Sequence, residues 1–376
     1  MKRVYKIFKY TMIILISISA LIALIGLIYM KQPHFGQAAT GERLERMKRS
    51  RNYRAGAFTN LSYTPNLTEG YSFAGVLYDF IFKKNPRQKP LEAVSHINTD
   101  LKSLPADSNV LVWFGHSSYY MQVDGMKILV DPVFSGNASP LPGTTKAFNG
   151  TNTYGVDDFP EIDYLLISHD HYDHLDYQTI KKLNGKVKKV ICGLGVGAYF
   201  EQWGYKAEMI SEHDWDETIT LNANMKIHTL TARHFSGRTF KRNTTLWMAY
   251  LLETPQQKIF IGGDGGYDKH FAAIGERFGS IDLAILENGQ YNAAWHAIHC
   301  MPAEVVQAAK DLRARRVMPV HSGKFSLAQH SWDEPLNEVS RLARIEGVPL
   351  VTPLIGEVVW LGNEKQHFNE WWKLLE

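Results

Sequence analysis

Eight consecutive positions, His169 to Asp176, carry three histidines and three aspartates directly behind an apolar run. This stretch, "LLISHDHYDHLDY" over residues 165–177, restricts the architecture more than any other part of the chain. Solvated loops usually mix in Lys, Ser and Gly, whereas from His169 to Asp176 every group that can carry charge near neutral pH is His or Asp. His169 and His171 are two apart, so on an extended backbone they project to the same side and can pinch one cation. Asp173 and His174 follow as the chain turns towards the helical pattern "YQTIKKL", where they can face a second cation. Neither pair completes a coordination shell, so the fold must deliver further ligands from remote segments.

The sequence from Asn109 onward supplies them. "NVLVWFGHSSYYMQV" and "DGMKILVDP" read as two strands joined at Asp124-Gly125, a favoured hairpin turn. Short apolar runs follow: "VKKVICGLG", "MKIHTLTARH", "TTLWMAYLLE", "KIFIGGDGG", "IDLAILENG" and "RRVMPVH". Helical patterns stand between some of them, as in "PAEVVQAAKDLRA", and "EPLNEVSRLARIE" comes after the last. Many strands with interspersed helices predict an α/β layered domain. A regular alternating nucleotide-binding sheet is disfavoured, because several neighbouring strands have no helix between them. His234, Asp264 and His321 each terminate one of these apolar runs, so strand ends gathered on one sheet edge would converge in a single cleft. On this reading His169, His171 and His234 hold one ion, and Asp173, His174 and His321 hold the other. Asp264 bridges them with its two oxygens, and the glycines of "IGGDGGY" permit close backbone approach.

Cys192 and Cys300 are the only cysteines, so there is no disulfide framework and metal binding rests on histidine and carboxylate. Such ligands suit two Zn2+ ions, with Mn2+ or Fe2+ as alternatives. Two ions about 3.5–4 Å apart lower the pKa of a shared water and stabilise charge on an attacked centre. The formal net charge of +3 is too small to argue for a nucleic-acid partner. Nothing in the composition opposes a homodimer.

The N-terminus, "MKRVYKIFKY", leads into a segment with no charge from Thr11 to Met30. Twenty helical residues span roughly 30 Å, the thickness of a bilayer's hydrocarbon core. A cleaved signal has a shorter apolar region, so an uncleaved anchor is the expectation. Lys2, Arg3, Lys6 and Lys9 precede the span, against Lys31 and Arg43 after it. That balance predicts a membrane-anchored protein with a cytoplasmic N-terminus and an extracytoplasmic catalytic body. The expected organisation is an anchor over 1–30, a linker and irregular extension over 31–108, and a catalytic domain over 109–376. "GERLERMKRSRNYRAG" reads as a basic linker or short surface helix, and the tryptophans of "WDETITL" and "NEWWKLLE" as core.

"SHDHYDHLD", with His234, Asp264 and His321 downstream, resembles the motif set of the metallo-β-lactamase superfamily. The resemblance covers roughly Asn109 to Gly362 and implies an αββα sandwich with metals at one edge. A narrower likeness runs through "WFGHSSYYMQVDGMKILVDPVFSGNASP", "ARHFSGR", "IFIGGDGGYDKHFAAIGERFG" and "VHSGKFSL". These are similar to the branch containing N-acylphosphatidylethanolamine-hydrolysing phospholipase D and its bacterial membrane-associated relatives, which also carry a counterpart of Phe58-Thr59-Asn60. That branch implies a zinc phosphodiesterase acting on a membrane phospholipid. "ENGQYN" (287–292) and "HSGKF" depart from the branch pattern beside His321, so a small-molecule ester, lactone, amide or β-lactam ring is the rival substrate class. A redox di-iron centre is disfavoured, because relatives of that kind carry a glutamate where His171 stands. By the superfamily pattern Asp131 orients a ligand histidine from behind. His299 matches a histidine kept near the metals, able to protonate a leaving alkoxide, and His116 is a further catalytic candidate at the end of the first strand.

Overall fold

The computed structural model describes residues 1–375. The chain opens with α1, Lys2–Tyr29, followed by a 3-10 turn at Pro33–Phe35, α2 (Gly41–Arg49), a small hairpin of β1 (Tyr53–Arg54) and β2 (Ala57–Phe58), and α3 (Phe73–Phe82). A first sheet is then laid down by β3 (Val110–Trp113), β4 (Tyr119–Val123), β5 (Met126–Val130) and β6 (Ile162–Ile167). It continues through α4 (Tyr177–Leu183), β7 (Val187–Gly193), α5 (Gly197–Gln202) and β8 (Ile210–His213). The second sheet contains β9 (Thr218–Asn222), β10 (Met225–Leu230), β11 (Ala249–Glu253) and β12 (Lys258–Ile261). After α6 (His270–Phe278) come β13 (Leu283–Glu287), α7 (Pro302–Asp311) and β14 (Val317–Val320). Finally α8 (Glu334–Glu346) leads to β15 (Val358–Trp360), which returns to the first sheet beside β3.

The strand orders are β15-β3-β4-β5-β6-β7-β8 and β14-β13-β12-β11-β10-β9. Parallel pairing begins at β5–β6, joined by a long loop with one 3-10 turn, and at β12–β13, joined through α6, because a parallel neighbour needs a crossover. Asp124 and Gly125, with φ of 47° and 77°, form the turn between β4 and β5. Both central residues sit in the left-handed region that a tight two-residue hairpin demands.

Side-chain alternation explains the layering. Leu111 and Trp113 point into a core shared with Ile227, Leu251 and Ile259 of the second sheet. Val112, between them, packs instead in a cluster with Leu165, Ile180 and Phe200, beneath α4 and α5. Helices α6, α7 and α8 cover the opposite outer face through Ile274, Val305 and Val339. Central strands are therefore buried on both faces, which is why they read as continuous apolar runs. Trp215, Trp371 and Trp372 are core residues.

Helix α1 is long and apolar enough to cross a membrane, and none of its residues is buried. The stretch between α1 and β3 is more ordered than a linker. Arg43 makes a bidentate pair with Glu201 at 2.7 and 2.8 Å and reaches Glu212 at 2.6 Å. Phe58 is fully buried. The basic segment forms α2, and α3 arises where the sequence offered no period.

Candidate metal centre

Every strand end expected to carry a ligand opens on the same edge of the sandwich. Asp131 follows β5, Ser168 and His169 follow β6, His234 lies four residues beyond β10, Asp264 three beyond β12, and His321 directly after β14. Within this edge the structure forms two groups of donors. His169 Nε2 is 2.8 Å from His171 Nδ1, which is 3.3 Å from His234 Nε2. His116, Asp173, His174 and His321 form the second group, with donor atoms within 4.8 Å of one another. Asp264 stands between them. Its Oδ1 lies 3.2 Å from His174 Nε2 and 3.1 Å from His321 Nδ1, while Oδ2 lies 3.9 Å from both His169 Nε2 and His234 Nε2.

Backbone geometry makes that placement achievable. Gly263 has φ +60°, and a Cβ there would come within 2.7 Å of the Ser168 side chain. A Cβ on Gly266 would sit 2.2 Å from the Ala297 carbonyl oxygen. A side chain at Gly263 would push Asp264 away from the β6 end, and one at Gly266 would collide with the backbone that leads into His299. Asp131, His116 and His321 adopt positive φ of 41°, 55° and 67°, a local strain that packing around the cluster must hold.

Partners behind the cluster aim the donors. Asp131 Oδ2 sits 2.8 Å from His174 Nδ1, which leaves His174 Nε2 facing Asp264. Ser168 fixes that carboxylate, donating its N–H to Oδ1 at 2.8 Å and its hydroxyl to Oδ2 at 2.5 Å. His234 Nδ1 donates to the Ile298 carbonyl at 2.9 Å, so the inward Nε2 keeps its lone pair. Asn60 supports the same residue, donating to the His234 carbonyl at 2.7 Å and accepting its N–H at 3.1 Å. His116 is wholly enclosed, as His174 and His234 are, and its Nε2 lies 2.9 Å from Asp173 Oδ2 within the second donor group.

Electrostatics show what the cluster is built for. Burial drives the His169, His234 and His321 imidazoles well below their ordinary range, and the charges of neighbouring histidines and Asp264 modify this. Such rings are neutral donors, the state in which histidine binds a metal. Burial alone would also lower His174 and raise Asp264. Instead the attraction between them prevails, holding His174 well above and Asp264 well below the usual values. The buried carboxylates thus call for positive charge. His174 Nε2 and Asp264 Oδ1 face each other with no hydrogen-bond partner among the described residues. Ligands at 2.0–2.1 Å in a tetrahedron lie about 3.3 Å apart, close to the nitrogen spacing in the His169–His171–His234 group. Donor type, spacing and unpaired atoms all fit divalent cations.

One participant lacked a role in the sequence reading. Glu287, the last residue of β13, is buried, with Oε2 2.7 Å from His299 Nδ1 and Oε1 accepting the Cys300 N–H at 2.5 Å. Burial pushes its carboxyl up to about 7, against the opposing charge of His299. Burial would lower His299, but Glu287 outweighs it and raises the imidazole. The donor atoms of this pair lie within 4.8 Å of those of Asp264 and His321. The signal was present, since Glu287 terminates a strand as the candidate ligands do. Arg238 and Lys324 are buried as well, Arg238 donating to the Asp170 and Leu175 carbonyls and Lys324 to the Val133 carbonyl, and nothing in a sequence distinguishes such a cation from a surface one.

A two-sheet α/β sandwich that gathers histidines and aspartates at one edge into a cluster able to bind metal defines a metal-dependent hydrolase. The chain belongs to the metallo-β-lactamase superfamily: the Beta-lactamase superfamily domain matches residues 126–322, more than half its length. It is 34% identical over 331 residues to an uncharacterized protein of Mycobacterium tuberculosis, covering 87% of this chain and 88% of that one. It is 28% identical over 335 residues to N-acyl-phosphatidylethanolamine-hydrolyzing phospholipase D 1 of Caenorhabditis elegans, covering 82% of this chain and 92% of the relative. Among solved structures, Igni18, a metallo hydrolase from Ignicoccus hospitalis, shares the fold with a TM-score of 0.52 at 20% identity, over 67% of this chain and 97% of that one.

Proposed function

We propose that this hydrolase is a membrane-anchored zinc phosphodiesterase that cleaves a phospholipid in the manner of N-acylphosphatidylethanolamine phospholipase D. In this reading residues 1–30 anchor the chain, 31–108 dock as an extension, and 109–376 form the catalytic domain. The N-terminus is cytoplasmic and the catalytic body lies outside. One observation carries the lipid assignment: the 3-10 turn directly after α1 is tied to the ligand loop. Arg238 donates to the His34 carbonyl at 2.7 and 3.0 Å and, through its other nitrogen, to the carbonyls of Asp170 and Leu175. Its guanidinium also lies 4.0 Å from the centre of the Tyr172 ring, between His171 and Asp173 in sequence. A bilayer crossed by α1 therefore lies close to the metal loop. A cleft of about 840 Å3, lined by Tyr29, His34, Lys146, Tyr172, Gln178 and Arg238, opens there. Its size suits a phospholipid headgroup, for which Lys146 is the exposed cation, Arg238 and Asp176 lying buried in its wall.

His169, His171 and His234 hold one ion in this reading, and Asp173, His174 and His321 the other, with Asp264 shared. When bound, the pair supplies an activated water and positive charge for a phosphoryl oxygen. The chain's own groups do the rest. Asp131 and the Ile298 carbonyl fix which nitrogen of His174 and His234 faces inward. Glu287, beside His299 Nδ1, favours the protonated imidazolium, whose opposite nitrogen would then carry the proton that the leaving alkoxide needs.

The decisive experiment places the full-length protein in vesicles containing N-acylphosphatidylethanolamine and zinc and follows phosphatidic acid. Release that disappears on chelation supports the reading. Turnover of chromogenic lactones or carboxylic esters with the phospholipid left intact overturns the phosphodiesterase assignment and leaves the hydrolase fold in place.

A further inference from the structure

We propose that α3 is a second membrane contact, an interfacial helix that holds the rim of the metal cleft against the bilayer. This rests on the reading of α1 as a membrane span. The sequence of α3 is FAGVLYDFIF, and not one of its ten residues is buried. Phe73 and Phe82 are 75% and 67% exposed, and Leu77, Tyr78 and Ile81 are exposed as well. An isolated helix of this length is marginal in water, because too few hydrogen bonds offset the cost of nucleation. Packing against the body does little for it, since apart from Val76 and Phe80 its large apolar side chains face outward. It needs an apolar phase.

Several features identify that phase as lipid. At 1.5 Å per residue the helix is about 15 Å long, half of what is needed to span, so it must lie in the interface rather than cross. Asp79, its only charged residue, is half-buried and paired with Lys83 at 2.8 Å. Beyond Lys83, which is taken by Asp79, and Arg87, which pairs with Asp333 at 2.7 Å, Lys84 and Lys89 have no ion-pair partner among the described residues and can meet anionic headgroups. Helix α1 on the same chain already brings a bilayer to the body.

The position of α3 gives the contact a purpose. The Phe80 ring stacks on Trp295 at 6.0 Å, and the Thr68 N–H donates to the Ala294 carbonyl at 2.8 Å. Trp295 lies four residues before His299. The turn directly after α1 is therefore tied to the loop around His171, and α3 stands on the segment that leads into His299. Contacts on both flanks would hold the cleft mouth at the lipid surface and let a phospholipid reach the cluster without entering bulk water.

Cys192 and Cys300 are buried, so a thiol-reactive fluorophore can be directed to an introduced cysteine. The full chain is reconstituted in phosphatidylcholine–phosphatidylglycerol vesicles with brominated acyl chains as quenchers. Probes are placed at Leu77→Cys and Phe82→Cys, at Met12→Cys within α1, and at Ile345→Cys, an exposed reference in α8. The expected result is quenching at Leu77→Cys and Phe82→Cys several-fold stronger than at Ile345→Cys. If Met12→Cys is quenched and the two α3 probes behave like Ile345→Cys, the second contact is refuted and the anchor stands. If Met12→Cys is not quenched either, the anchor reading falls together with this one. Shielded but unquenched α3 probes that transfer energy between chains would assign the helix to a second copy of the protein and overturn the proposal.

Discussion

Asp131 Oδ2 lies 2.8 Å from His174 Nδ1, and both residues are almost completely buried. The contact fixes the His174 ring so that its other nitrogen faces Asp264. Partners of this kind are worth roughly 10–100-fold in metal affinity. Asp131→Ala should weaken one of the two metal positions by about that factor. Titration against a chromophoric chelator would then show one tight and one weakened site, where the parent shows two tight ones. Two unaltered sites would mean that Asp131 only caps its own turn.

Metal removal should destabilise the chain as well as silence it. Without cations, neutral imidazole nitrogens are held 2.8 and 3.3 Å apart beside buried carboxylates. A ligand at a thousand times its Kd contributes about 4 kcal/mol to folding. Chelation should therefore lower the thermal midpoint by several degrees, and zinc should restore it together with activity. A midpoint indifferent to chelator would contradict a metal held by these residues.

Much of this was legible in the chain because strands and ligands obey simple periods. The H-x-H spacing, the apolar runs and the position of His234, Asp264 and His321 at run ends follow from side-chain alternation, which is local. Asp124-Gly125 announced its hairpin through turn chemistry. Helix α3 did not announce itself, since an apolar segment exposed on every side has no amphipathic period to read. Glu287 and Asn60 were visible as residues without their partners: His299 is twelve positions from the first and His234 174 from the second. Contacts at such separations depend on how layers stack, and no local pattern encodes that.

Asn60 offers a direct test of such a long-range contact. Its amide pairs both backbone groups of His234, donating at 2.7 Å and accepting at 3.1 Å. Asn60→Ala would leave these groups to find other partners, at a cost of about 1–3 kcal/mol. The expected outcome is a lower urea midpoint together with weaker metal retention. Asn60→Asp, which keeps the acceptor and loses the donor, should fall between. Reduced stability with unchanged metal affinity would confine Asn60 to docking the N-terminal extension.

Lys324 predicts a pH dependence of stability. Its amine is fully buried, donating to the Val133 carbonyl at 2.9 Å and the Phe114 carbonyl at 3.2 Å, near the rings of Phe134 and Phe325. Burial pushes it from 10.5 down to about 7, with Asp176 acting weakly in the other direction. Between those values the unfolded chain carries a proton that the folded chain has released. Stability from this group therefore rises with pH across the window and is lowest below about 7. The slope approaches roughly 1.4 kcal/mol per pH unit where the difference is complete. Lys324→Met should remove this slope. It also leaves two carbonyls unpaired, so the variant should be the less stable protein near the top of the window. The gap should narrow or reverse below about pH 7, where the parent must keep a buried charge. Urea midpoints of the two detergent-solubilised proteins across this range provide the test, and parallel curves would show that the amine stays protonated in the folded state.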